Sequence, residues 1–465
     1  MKNLQTQCSN PAIILNPHLK DLVLKYKHYY VRGKRHELSL YQQNAWYMEF
    51  PYTMFGKIKR TIENPEELQD FYIETDEEPA LLYLSVPCGK CILCTEKKAN
   101  EWVTRAMCES QTSSSIPLFV TLTYNDFCLP WNGVRKGAAQ RFIKRLRTNL
   151  KRYLGYDSKL RYFLCSEYGT KTGRPHYHVL LWNMPVLEAK HIEELIQKSW
   201  SFQVSKDLYD RVPSENDKYG NPIYKYYDKQ ADVYRVLFGY TKVYTITEGG
   251  IQYCMKYMRK EATIPDGKNN IFFLSSRRGG IGAQWIEQHL REYRNNPSLI
   301  DIQIHDIWTN KDFKGCIPQY FKDKIAPTPS RLIKKDIRDT FKLWNYYSNK
   351  FHSQIMYHYT PNPAVIKHYP SLYYHKAQIY GINTFSLKDK TSPLSQDTAK
   401  IVDYLEWKLL QYQYDVQLSI DAPQYKRKHL SYIQAFLDNN PQQTIPDKIA
   451  AIQRRRNSAR LRETF

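Results

Sequence analysis

The chain has 465 residues, enough for two or three domains, and 42% of them are hydrophobic, which excludes a wholly disordered chain. Lys and Arg outnumber Asp and Glu by 68 to 46, a formal charge of +22. That balance favours a polyanionic partner, nucleic acid foremost, over a soluble basic protein with none. No stretch nears the ~20 apolar residues that span a bilayer, and the opening residues lack the apolar core of a signal peptide. The nine Cys are an odd number, and three of them form one tight cluster. They suit a reducing compartment with a metal site rather than a disulfide framework.

Residues 1–86 carry few clear periods and read as an N-terminal accessory region, with the acidic stretch from Glu63 to Glu78 as a surface segment or linker. From residue 87 the signals sharpen. A helix is expected over 95–110, and Leu118–Tyr124, rich in β-branched and aromatic residues, reads as a strand. Residues 138–154 form the clearest helix, with Phe142, Ile143, Leu146, Leu150 and Leu154 near one face. Strands at Leu160–Glu167 and His176–Trp182, joined by a turn across Gly169–Gly173, make a hairpin. A helix at 187–199 follows. Residues 203–235 are polar and Tyr-rich, an excursion from the core. A strand at Tyr240–Thr247 then leads into a short helix opened by Gly249-Gly250 and running through Lys260. This order predicts an α+β domain over 87–290, with helices packed on a central antiparallel sheet. Residues 291–465 read as a mainly helical accessory region, with helices at 398–414 and 446–460.

Three constellations carry chemistry. In Gly173-Arg-Pro-His-Tyr-His178, residues two apart on a strand share a face, so His176 and His178 can offer two imidazoles to one ion while Tyr177 points into the packing. A bare His-x-His is more often two ordinary strand histidines. Glu167 changes that balance, because folding the hairpin back places it beside the pair. Mixed nitrogen and oxygen ligands suit a partly hydrated Mg²⁺ or Mn²⁺ with open positions for water and a phosphate oxygen.

The second is Gly249-Gly-Ile-Gln-Tyr253-Cys-Met-Lys256-Tyr257-Met-Arg-Lys260. Helix positions four apart share a face, so Tyr253 and Tyr257 present two phenols to one site, and Lys256 and Lys260 can hold phosphates. A phenol of pKa ~10 is a poor nucleophile at neutral pH and needs a phosphate polarised by a metal. The plain alternative is a Tyr/Met core stripe with solvated lysines. The third is Cys88-x-x-Cys91-x-x-Cys94, three thiols able to wrap one ion, with Cys8 or Cys108 as fourth ligand and Cys8 preferred. Structural Zn²⁺ and three reduced, unmetallated thiols are equally open readings. An iron–sulfur cluster begins this way too, but no fourth Cys follows at the usual interval. Ser275–Gly282 is not a Walker A loop. Its Arg277 and Arg278 could contact DNA backbone, or the segment could be a simple turn.

Taken in order, these motifs resemble the HUH endonucleases, and among them the replication initiators of Microviridae, especially the gokushovirus-like group. The resemblance rests on Pro87–Cys94, Trp102–Arg105, Phe119–Asp126, Phe142–Arg147, Glu167–Gly169, Gly173–His178, Tyr253–Tyr257 and Ser276–Gly282, with Ile317–Tyr320 as a further match. It covers roughly the middle half of the chain, and no such likeness extends to the C-terminal third. The 203–235 insert departs from the pattern, because it lengthens the gap between histidines and tyrosines.

The resemblance implies an HUH-type nuclease domain in which His176 and His178 ligate a divalent metal and Tyr253 and Tyr257 are paired nucleophiles. Related initiators with one tyrosine carry an acidic metal ligand just before the histidines, in support of Glu167. The implied reaction nicks single-stranded or origin DNA, leaves a 5′-phosphotyrosine and a free 3′-hydroxyl, and later rejoins the strand. The implied partners are single-stranded DNA, the double-stranded origin, and a host helicase and polymerase, in the cytoplasm of an infected bacterium and not at a membrane. A plasmid relaxase or HUH transposase would share the chemistry. A non-catalytic single-strand-binding protein would need neither metal nor His176.

Overall fold

The computed structural model of the protein describes residues 8–327 and 421–463, apart from 17–18, 41–49, 77, 157–158, 170–171, 219, 221, 247, 260–263, 278, 423 and 441–443. The helix expected at 398–414 lies outside the described residues. The chain is mixed helix and antiparallel sheet, and it divides into two compact units. The first unit takes Met1–Cys94, Asn296–Ser298 and Lys322–Phe465. It contains β1 (Ala12–Leu15), β2 (His28–Val31), β3 (Lys34–Glu37), β4 (Phe71–Ile73), β5 (Ala80–Leu81) and β6 (Tyr83–Val86). Strands β3-β2-β4-β5 form one sheet and β1-β6 a two-stranded one.

Helices Leu19–Tyr26 and Phe50–Lys59 supply Val23 and Phe55 to a core completed by Leu68, Phe71, Ile73, Leu82 and Tyr83, all fully buried. This corrects the reading of Glu63–Glu78 as a surface linker. A short 3-10 helix, Pro65–Asp70, and β4 bury Leu68, Phe71 and Ile73 and leave most of the acidic side chains outside. Each such buried side chain is worth about 1.5–3 kcal/mol of transfer free energy, which charged neighbours on the outer face do not oppose. The described C-terminal residues of this unit are helical, including Ile445–Glu463.

The second unit takes Thr95–Asn295 and Leu299–Phe321. Its strands are β7 (Leu118–Leu122), β8 (Arg161–Tyr168), β9 (Pro175–Trp182), β10 (Ser201–Val204), β11 (Lys225–Asp228), β12 (Val233–Leu237), β13 (Thr241–Thr245), β14 (Phe273–Ser275), β15 (Asp301–Asp306) and β16 (Lys311–Cys316). The central sheet runs β13-β7-β9-β8-β14, antiparallel throughout. Alternation along each strand gives it two different faces. One face carries Leu118, Val120, Leu122, Leu164, Tyr177, Val179 and Leu181, which pack with Phe142, Ile143, Leu146 and Leu150 of helix Lys136–Leu154 and with Leu195 and Ile196 of helix Ala189–Ser199. The other face carries Phe119, Thr121, Phe163, Cys165, Glu167, His176, His178 and Leu180.

Two features differ from expectation. The 203–235 excursion is not loose: β10, β12 and β11 form their own antiparallel sheet, with the Tyr226 side chain buried and Tyr227 and Tyr234 ring against ring. Tyr is amphipathic enough to build such a small sheet from a polar-looking segment. Within the region expected to be mainly helical, Asp301–Asp306 and Lys311–Cys316 form a hairpin. Its Ile302 and Ile304 are buried while Gln303 and His305 are exposed.

Candidate metal and tyrosine site

The β8–β9 register sets Glu167 directly across from His176 and Cys165 across from His178. All four side chains therefore stand on one face, and Tyr177 stands on the other. There Tyr177 is fully buried, shares a hydrogen bond with the Tyr124 hydroxyl at 3.2 Å and accepts one from the Arg135 N–H at 2.7 Å. Burial raises the pKa of both phenols, so neither is a nucleophile.

The two histidines are fixed differently. His176 Nδ1 lies 2.8 Å from the Arg174 carbonyl. A carbonyl can only accept, so Nδ1 carries the proton and Nε2 keeps its lone pair in the neutral ring. Burial, the main cause, lowers the pKa of His176 below that of a free imidazole, which favours that ligating form. The same Arg174 carbonyl accepts the Gly169 N–H at 2.9 Å and so closes the turn. A Cβ at Gly169 would lie 3.0 Å from His176 Cε1, so glycine there leaves the ring its room. The Arg174 guanidinium grips Asp126 at 2.6 Å and the Tyr124 carbonyl at 3.0 Å.

His178 is 4% exposed, with Nε2 at 2.6 Å from Glu167 Oε1 and Nδ1 at 3.1 Å from Thr121 Oγ1. Thr121 is its cross-strand partner on β7. Sequence reasoning missed Thr121, because its role depends on the β7–β9 register, which no local pattern announces. Two donors on one Mg²⁺-sized ion at ~2.1 Å stand about 3 Å apart when cis. An ion would therefore replace the proton shared by His178 and Glu167 with a small parting of the two groups. Among the described residues, the donor atoms of Glu167, His176 and His178 do not all lie within 4.8 Å of one another.

Helix Glu248–Arg259 packs across β8 and β9. It buries Ile251, Cys254 and Met255 and leaves Tyr253 38% exposed at its rim. The Tyr253 ring meets the His178 ring edge-on at 5.3 Å and the Phe119 ring at 6.0 Å. Burial and contact with Cys165 push the Cys254 thiol far up, which makes it a packing group. Tyr257 follows one turn after Tyr253 on the same helix. Of Lys256 and Tyr257 the backbone alone is described, and Lys260 and Arg278 lie outside the described residues.

Arg277 is exposed. Its glycine-rich loop has a structural role. Glu109, 4% exposed, accepts the Gly282 N–H at 2.6 Å and Arg161 Nε at 2.6 Å. The Tyr320 hydroxyl bonds the Gly279 carbonyl. The four thiols of the third constellation assemble: the Sγ atoms of Cys8, Cys88, Cys91 and Cys94 all lie within 4.8 Å of one another. Cys108 is buried elsewhere, in the second unit.

Comparison with known proteins converges on this core. Residues 117–262 match the family of replication-associated proteins named for ORF2. The chain is 27% identical over 270 residues to replication-associated protein VP4 of Bdellovibrio phage phiMH2K, covering 56% of this chain and 74% of that protein. It is 28% identical over 272 residues to replication-associated protein ORF2 of Spiroplasma virus 4, covering 56% and 71%. It is 21% identical over 302 residues to replication-associated protein ORF4 of Chlamydia phage 1, covering 62% and 66%. No solved structure matches.

Proposed function

From its relatedness to the replication-associated proteins of Microviridae phages, we propose that this protein initiates rolling-circle replication by nicking single-stranded or origin DNA through a transient phosphotyrosyl link. The observation that carries the reading is the stacking of functions on one sheet face. The half-exposed phenol of Tyr253 rests against His178, and His178 is hydrogen-bonded to Glu167.

Glu167, His176 and His178 would hold a divalent cation. The fit rests on the donor set, and on a His176 whose Nδ1 is already committed to a carbonyl, leaving Nε2 available. Bound there, Mg²⁺ or Mn²⁺ would polarise a phosphate oxygen. The phenol oxygen of Tyr253 then forms a bond to phosphorus as the bond to the 3′-oxygen breaks. The phenol proton ends on the 3′-hydroxyl, and one phosphodiester becomes another. Because the ester survives, a later 3′-hydroxyl can reverse the exchange and close a strand. Tyr257, one turn on, serves as the second nucleophile in alternation with Tyr253. Lys256 offsets charge on the leaving oxygen. Lys260, Arg277 and Arg278 contact the backbone.

The reaction needs no nucleotide, so strand separation falls to a host helicase, and the 3′-hydroxyl feeds a host polymerase in the host cytoplasm. Among the described residues, no helix is long and apolar enough to cross a membrane.

The test is incubation with single-stranded origin oligonucleotides and Mn²⁺, followed by denaturing electrophoresis and peptide mapping. A covalent adduct on Tyr253 or Tyr257 is expected. His176→Ala should abolish it and leave DNA binding in place. Either single Tyr→Phe change should still cleave once but fail to release closed circles over repeated rounds, and the double change should form no adduct. DNA binding without any adduct, unaffected by His176→Ala, would establish a non-catalytic binding protein instead.

A further inference from the structure

The four cysteines of the first unit are not needed for the chemistry above, and their geometry has its own explanation. Strands β1 and β6 pair antiparallel, from Ala12 opposite Val86 to Leu15 opposite Tyr83. Carrying that register back to Cys8 sets it opposite Lys90, between Cys88 and Cys91. The fold thus delivers a thiol from the start of one strand into a three-cysteine loop that follows the other, 80 residues later.

The loop is shaped to hold thiolates. Gly89 adopts φ +74°, a left-handed conformation that costs other residues strain. This turn aims the Lys90 and Cys91 N–H groups at Cys88 Sγ, at 3.4 and 3.3 Å. The Cys88 N–H points at Cys8 Sγ, at 3.3 Å. Cys94 lies in the first turn of helix Ile92–Gln111, where the unpaired N–H groups and helix dipole favour negative charge. The sulfurs are not disulfide-bonded. Cys8 Sγ and Cys91 Sγ are 3.7 Å apart, against about 2.05 Å in a disulfide. A tetrahedron of thiolates about 2.3 Å from zinc has edges of about 3.8 Å.

We propose that Cys8, Cys88, Cys91 and Cys94 bind one structural Zn²⁺, independently of the nuclease-type site. Four sulfur donors leave no open coordination position, so the ion is structural rather than catalytic. It closes the end of a two-stranded pair, an arrangement that is marginal alone, in a chain whose cysteines point to a reducing compartment where a disulfide would not persist.

The experiment uses full-length protein purified without chelators, with elemental analysis as the readout. One zinc per chain is expected. Replacement by Co²⁺ should give the intense visible bands and ultraviolet charge-transfer of tetrahedral thiolate. Cys8→Ser should weaken zinc retention against a competing chelator by at least about tenfold, and Cys108→Ser should not change it. Should Cys8→Ser fail to fold, the Co²⁺ spectrum of the unsubstituted protein still decides the coordination. Zinc-free protein with no thiolate spectrum on adding Co²⁺ overturns the proposal. So does iron in place of zinc, or equal loss of zinc in Cys108→Ser. None of these readouts depends on DNA cleavage, so failure here and failure of the nicking reading are separable.

Discussion

Thr121 and Gly169 offer no ligand to an ion, yet each sets the attitude of one imidazole. Thr121 Oγ1 sits 3.1 Å from His178 Nδ1, and the Glu167 carboxylate, an acceptor, takes the Nε2 proton. If an ion replaces that proton, Nδ1 must become the protonated nitrogen, and the threonine hydroxyl turns from donor to acceptor. A hydroxyl can do this and a methyl cannot. Thr121→Val should therefore keep the fold and lower Mn²⁺ affinity by about 10–100-fold, the usual cost of losing an outer partner of a ligating histidine. Electron paramagnetic resonance of free Mn²⁺ during titration measures this, and unchanged affinity would remove Thr121 from the site. Gly169→Ala meets His176 Cε1 at 3.0 Å. It should shift that ring and cut Mn²⁺ affinity and nicking together, with little change in unfolding midpoint because the turn lies outside the core.

At the scale of elements, the sheet face that bears the histidines also reaches an edge. On β13, Val243 faces the core, so Lys242 and Tyr244 face the same side as Phe119 and Thr121, their register partners on β7. Both are exposed, Tyr244 by 56%, and Tyr240 just before the strand is 48% exposed. Alternating rings and a lysine beside the tyrosine helix form a track for unpaired bases and their phosphates. Tyr244→Ala should weaken binding of single-stranded DNA by about 1–3 kcal/mol with no change in salt dependence, the signature of stacking. Lys242→Ala should reduce the slope of log affinity against log salt by about 0.7, one phosphate contact. Identical salt slopes in both variants would count against the track. Behind the face, the Glu109 carboxylate joins Arg161 to the Gly282 N–H, and the Glu109 side chain is 5% exposed. Glu109→Ala strands a mostly buried guanidinium, so it should cost about 3–5 kcal/mol in urea unfolding.

These elements also show what a sequence discloses. His176, His178 and Glu167 could be placed on one face because a hairpin has period two and a turn whose ends are marked by Gly169 and Gly173. The tyrosine helix could be placed because Gly249-Gly250 precedes an i, i+4 repeat. Thr121 could not be found, since inter-strand register is set by long-range packing. Leu68, Phe71 and Ile73 were hidden among carboxylates, because composition averages over the two faces that a short strand separates. The alternation Asp301-Ile-Gln-Ile-His-Asp306 does carry a strand signal, but it sits in a stretch whose other periods are helical.

For the whole molecule, the charge of +22 and the compact site should act on different steps. Attraction between a basic protein and a polyanion extends over the Debye length, about 10 Å at 0.1 M salt, and is screened beyond it. The groups proposed for the exchange are in contact: Tyr253 against His178, and His178 at 2.6 Å from Glu167, the latter two largely shielded from water. Salt should therefore weaken encounter and leave the exchange itself nearly untouched. Raising salt from about 50 to 200 mM should cost binding of a single-stranded origin oligonucleotide a factor of about 10³ if some seven phosphates are contacted. Over the same range, the single-turnover rate of adduct formation at saturating protein, with Mn²⁺ in excess, should change less than about twofold. Dissociation constants and quench-flow rates on one substrate separate the two quantities. If the rate falls in parallel with affinity at full saturation, a screened long-range charge acts on the leaving phosphate. The lysines that follow Tyr253 in the chain would then have to carry more of the reaction than the buried Glu167–His178 pair.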